Sequence, residues 1–129
     1  VVTTGRIEAS GAGSIGLEGL VIKGDGLTPG GDQSLVVITE CDELEIARVA
    51  ISGSKGHGLS LARCRGRITA STISGVAGAG IFSIDALGLE IASNHVHDCA
   101  NNGILVWRSS PGEDGTIVTA NRIERIRAD

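Results

Sequence analysis

A repeat of 22 to 23 residues runs through the middle of this chain and constrains its fold more than any other feature. Residues 46–51 read IARVAI, 68–73 read ITASTI and 91–96 read IASNHV. Each is followed by a glycine- or asparagine-rich corner and a second apolar run opened by Gly58, Gly80 or Gly103. Ile46 to Ile68 spans 22 positions and Ile68 to Ile91 spans 23, and the three glycines repeat both steps. A fixed period in this range marks a solenoid, whose units bury their apolar faces only against each other. An earlier copy occupies 17–22, 29 positions before 46–51. The excess falls in 24–33, a run of turn formers expected to loop out. A later copy, IVTANRI at 117–123, puts Val118 where Ile91 stood and follows a second insertion at 109–115. The segment GRIEAS at 5–10 matches GRITAS at 66–71 and is expected at the equivalent place of an earlier coil.

The repeats are strands. Apolar residues alternate with period two inside short runs rich in Ile, Val and Thr, with glycine at the corners. A period near 22 is too short for two helices and their connections, and the leucine-rich-repeat frame is absent. The expected fold is all-β: a right-handed, single-stranded parallel β-helix of four to five coils, forming one domain over residues 1–129 with two loop insertions. The chain opens on Val1 inside a patterned segment, and is expected to be a piece of a longer protein.

Stacked coils can be read vertically. Ile46, Ile68, Ile91 and Val118 form one inward column; Ile51, Ile73, Val96 and Ile123 a second; Leu59, Ile81 and Ile104 a third. Val49, Ser71, Asn94 and Asn121 form a corner column whose amides are expected to pair along the axis. Cys41 and Cys64 share a column with Ala86 and Ser109, close enough for a disulfide by distance. The small residues of that column favour stacked free thiols, and Cys99 belongs to another corner.

Composition narrows the function classes. Aromatics make up 2% of the chain against 41% hydrophobic residues, so the core is stacked aliphatics. A net charge of −4 lacks the basic footprint of a nucleic-acid binder. No apolar run reaches the length of a membrane span. No nucleophile elbow or phosphate loop is present.

Two outward columns alternate in charge: Glu40, Arg63, Asp85, Arg108, and Glu45, Arg67, Glu90. Such ladders fix register. The first also offers a binding track, because Arg63 and Arg108 can clamp carboxylates and Trp107, the only tryptophan, can stack on a sugar ring or else cover the core beneath the Pro111 loop. His95 and His97 point the same way on one strand, with Glu124 a third candidate metal ligand. Arg122 opposes a cation there, so no metal is expected, and a His97–Glu124 contact is. Asp25 and Asp32 are weak calcium candidates, lacking Asp-x-Asp spacing; otherwise no cofactor is expected. His57 is expected at the surface.

The frame Ile91-x-x-Asn94-x-Val96-x-x-Cys99-x-x-x-Gly103-Ile104 resembles the parallel β-helix repeat of pectin-lyase-like proteins. The run from Asn94 through Trp107 to Asn121-Arg122-Ile123 is similar to the uncharacterised, twin-arginine-translocated repeat proteins. That resemblance implies a periplasmic or extracellular home. Pectin-lyase-like enzymes carry acidic residues and an arginine or lysine on one outer face, often with calcium; Arg63, Asp85 and Arg108 are the nearest match. Phe82, Ile84 and Leu105 stand where further acidic residues would be needed. The expected function is thus a scaffold or carbohydrate-binding surface. The alternatives are a polysaccharide lyase or hydrolase core, and an assembly module using its ends or exposed Phe82, Ile84 and Leu105.

Overall fold

The computed structural model describes residues 2–4 (backbone only), 7–11, 13–24, 34–112 and 114–127. Asp25, Asp32 and most of the first insertion lie outside them. The described residues contain fourteen strands, numbered in chain order, and no helix, so no helix long and apolar enough to cross a membrane.

One face is a six-stranded parallel sheet: β1 (Val2–Thr4), β4 (Val21–Lys23), β6 (Ala50–Ser52), β8 (Thr72–Val76), β11 (His95–Cys99) and β14 (Arg122–Ile126). The rest of each coil belongs to a sheet folded over a corner. Its long strands β5 (Val36–Ala47) and β7 (Leu59–Thr69) run across the bend. On one side of it lie β2 (Ile7–Ser10), β9 (Ile81–Ile84) and β12 (Ile104–Trp107); on the other, β3 (Ser14–Glu18), β10 (Leu89–Ala92) and β13 (Ile117–Thr119).

The register confirms the three aliphatic columns. Leu17, Ile46, Ile68, Ile91 and Val118 are successive partners, as are Ile22, Ile51, Ile73, Val96 and Ile123. Leu59, Ile81 and Ile104 make the third, which Val36 and Ile7 extend. Ile7 therefore belongs to the Leu59 column and not the Ile68 column that its GRIEAS context suggested. Both strand types carry the same alternation, so local sequence could not separate them. Ile22, Ile51, Ile68, Ile73, Ile81 and Ile91 are essentially inaccessible to solvent; each buried side chain contributes about 1.5–3 kcal/mol by area.

The change of period from 23 to 22 has a local cause. Cys41 pairs with Cys64, but Leu44 pairs with Gly66, so β5 carries one extra residue in a bulge. Gly66 sits there at φ 143°, where a Cβ would lie 1.9 Å from the Leu44 carbonyl oxygen.

Gly58, Gly80 and Gly103 are required by packing. A Cβ on each would meet Ile73 Cγ2 at 2.7 Å, Val96 Cγ1 at 2.5 Å and Ile123 Cγ2 at 2.6 Å respectively. The second aliphatic column fills the space over the glycine column.

Left-handed backbone marks the corners. Glu40, Arg63 and Asp85 (φ 57°, 53° and 52°) stack at one, and Arg48, Ala70, Ser93 and Ala120 (52°, 51°, 60° and 54°) at a second. Asp98 and Arg125 (55° and 54°) continue a third begun by Gly53 and Gly75. L-residues adopt this conformation at a cost near 1–2 kcal/mol, which the coil above and below enforces.

The polar corner column is a continuous ladder. The Ser71 Oγ accepts the Val49 N–H (3.1 Å), Asn94 Oδ1 accepts the Ser71 N–H (3.0 Å), and Asn121 Oδ1 accepts the Asn94 N–H (2.9 Å). Asn94 Nδ2 also donates to the Ile68 carbonyl and to Asn121 Oδ1, both at 3.0 Å.

All three cysteines are buried free thiols. Cys64 Sγ donates to the Ile38 carbonyl (3.4 Å), and burial pushes the thiols of Cys64 and Cys99 up from the ordinary cysteine value. Cys99 follows the left-handed corner residue Asp98, as Cys64 follows Arg63, and is in register with Val76 and Ile126.

Candidate functional site

The charged track lies at a left-handed corner, which turns the side chains of Glu40, Arg63 and Asp85 toward solvent. Arg63 donates to Glu40 at 3.1 Å. The ladder then breaks. Asp85 accepts the Ser109 N–H and the Ser109 hydroxyl, both at 2.8 Å, and so tethers the 109–112 loop. Those two bonds, with Arg108 and Arg63 nearby, hold its carboxyl below the usual carboxylate range. A carboxylate so engaged is a weak base for abstracting a proton from a sugar. Arg108 donates from Nε to the Ser110 carbonyl at 3.2 Å, and also steadies the loop.

The structure does bring the predicted residues together. Arg63, Asp85 and Arg108 border one shallow cleft of about 260 Å³ with Leu87, Ser109 and Ser110. Trp107, 51% exposed, borders a second of about 520 Å³, shared with Arg108, Gly112, Asp114 and Thr116. Arg108 is the divider between them. Trp107 is thus open to solvent, not a lid over the core. In the sequence Asp114 is one of several scattered aspartates and Thr116 carries no motif, because only the loop's return path places them here.

In the second charged column, Arg67 Nε lies 3.9 Å from Glu90 Oε1. Among the histidines, Glu124 pairs with His95 (Nε2 to Oε1, 2.7 Å), not with His97. His97 is the in-register neighbour of Glu124, yet its Nδ1–H donates to Asp98 at 2.6 Å. Arg125 binds Asp98 through Nε (2.7 Å) and a terminal nitrogen (3.0 Å). Its 3.1 Å approach to His97 Nδ1 is no hydrogen bond, since that nitrogen already carries the proton given to Asp98. Arg125, then His97, holds the Asp98 carboxyl well below the usual range; the His95 bond, reinforced by Arg122, lowers that of Glu124. Among the described residues no three His, Cys, Asp or Glu side chains converge as metal ligands. Arg122 and Arg125, at 3.3 and 3.7 Å from Glu124, occupy the place a cation would take.

One further expectation needs correction, and another is refined. His57 is half-buried at its corner and also engaged: its Nδ1 takes the Ala79 N–H at 2.8 Å and its ring stacks on Phe82 at 4.7 Å. Phe82, Ile84 and Leu105 are only partly exposed, because aromatic and aliphatic neighbours in register shield one another. Among the described residues the exposed large apolar side chains are Leu87, Trp107, Ile117, Val118 and Ile123.

A family model for right-handed β-helix regions matches residues 5–127. The chain belongs to the right-handed β-helix family. No curated protein matches it, and no solved structure does. Membership in the β-helix family accounts for the columns, the ladder and the glycines; activity depends on what the individual chain grafts onto its outer face.

Proposed function

We propose that this β-helix is a non-catalytic scaffold that binds carbohydrate on the face carrying Arg63, Arg108 and Trp107. The observation behind it is a half-exposed tryptophan beside a cleft bordered by two arginines, an aromatic platform next to groups suited to sugar carboxylates. Asp85, tied to Ser109, supports binding over lyase or hydrolase chemistry. The sequence likeness to twin-arginine-translocated repeat proteins supports export to the periplasm or beyond, where polysaccharide would be met. The test is affinity electrophoresis through polygalacturonate. Arg63→Ala is expected to abolish retardation while leaving the fold intact, because Arg63 contacts only the exposed Glu40 among its hydrogen-bond partners. Unchanged mobility of Arg63→Ala and Trp107→Ala would exclude this face.

A further inference from the structure

His95 and His97 project from β11, on the six-stranded sheet and not on the sheet that carries Trp107. Val96 between them is buried, so both imidazoles face outward, with ring centroids 4.4 Å apart and a tilt of 32°. The charged groups that face them are already committed to one another. From β14, Glu124 bonds to His95 and lies 3.3 and 3.7 Å from Arg122 and Arg125. On their own strand, Asp98 accepts the His97 Nδ1–H and two nitrogens of Arg125. From β8 the register neighbours are Thr72 and Ser74, which carry no charge. Two arginines thus balance two carboxylates while the imidazoles are neutral.

An ionised carboxylate only accepts, so each imidazole gives it one N–H, His95 from Nε2 and His97 from Nδ1. The second nitrogens, His95 Nδ1 and His97 Nε2, make no hydrogen bond among the described residues. A proton taken up by each ring goes there. It adds two N–H donors and brings the cluster from zero to two positive charges. No third carboxylate faces the pair from β8, β11 or β14. Two imidazolium rings this close repel each other, and an anion bound across them relieves the repulsion. Proton uptake and anion binding therefore assist one another reciprocally.

We propose that this pair is an acid-gated site for the sulfate or phosphate esters of a polysaccharide. Such an ester group presents three outer oxygens, enough for two imidazolium donors and the exposed guanidinium of Arg122. A carboxylate presents only two. Sulfate esters also stay ionised throughout the range in which histidines titrate, so the protein supplies the gate. The site lies on a different sheet from the Arg63 cleft and holds whether or not that cleft binds uronates.

The test is binding to immobilised dextran sulfate and, in a separate arm, dextran phosphate, with plain dextran as control. It is run at about pH 7.5 and about pH 5.5 in the same salt, either side of the ordinary histidine range. At least one ester polymer should bind about tenfold or more tightly in acid, the gain of a charge-assisted hydrogen bond. The double variant His95→Gln/His97→Gln should lose that gain, because glutamine can still donate to Glu124 or Asp98 but takes up no proton. His97→Arg supplies a fixed cation and should bind at the higher pH more tightly than the parent does. Lys55→Gln removes an exposed charge elsewhere and should keep the full gain. The site is overturned if neither polymer binds more tightly in acid, or if the double variant keeps the gain. Equal loss of the gain in Lys55→Gln would also overturn it, by assigning the effect to net charge alone. The arm that binds identifies the ester.

Discussion

Replacing Asn94 by alanine should damage this protein more than any surface change. Asn94 is 2% exposed and sits mid-column between Ser71 and Asn121. Alanine deletes three hydrogen bonds, from the Ser71 N–H and to the Ile68 carbonyl and Asn121 Oδ1. At about 1 kcal/mol net for each, plus a penalty of about 1 kcal/mol or more for the stranded Ser71 N–H, the loss is about 4 kcal/mol. That is a large share of the roughly 5–15 kcal/mol typical of a domain. Asn94→Ser should cost about half as much, since one coil earlier the Ser71 hydroxyl accepts the Val49 N–H unaided. Urea unfolding followed by circular dichroism measures both; with slopes of about 1–3 kcal/mol per molar, the alanine midpoint falls by at least 1 M. An alanine variant within about 1 kcal/mol of the parent, or a serine variant no better than alanine, would refute the ladder as a source of stability.

Alanine in place of glycine should destabilise in the order Gly66, Gly80, Gly103. At Gly66 the clash is with backbone and φ is 143°; at Gly80 it involves the Gly103 carbonyl as well as Val96; at Gly103 only Ile123, 44% exposed and free to shift, stands in the way. Thermal midpoints in any other order would contradict this. Because the folded Asp98 carboxyl is held below its unfolded value near 3.9, its contribution is fully present above that value and is lost as pH falls through the lower folded one. Asp98→Asn should therefore flatten the acid limb below about pH 4 in a stability–pH series, and an unchanged limb would show that Arg125 does not act through Asp98. The three buried thiols should resist Ellman's reagent until urea unfolds the chain, and dithiothreitol should leave the melting temperature unmoved. Rapid labelling of the native protein, or a drop in melting temperature on reduction, would argue against the buried free-thiol state.

The repeat, the three aliphatic columns and the Ser71–Asn94–Asn121 ladder were legible in the amino-acid sequence, because a parallel solenoid writes one coil's environment again 22 or 23 positions later. Alternation says which side chains point inward, and the period says what lies above them. The same redundancy misled at Ile7, where two strand types share one pattern. Only the tertiary structure decided that Glu124 reaches diagonally to His95 while Arg125 claims Asp98. Long side chains have several partners within reach of one register position, and rotamer and charge choose among them. Tertiary structure likewise decided that Asp85 and Arg108 hold a loop, and that the loop's return sets Asp114 and Thr116 beside Trp107. The core repeats along the chain and can be read from it; the candidate binding face is made where the chain departs from its repeat, and no period records where a departure comes back.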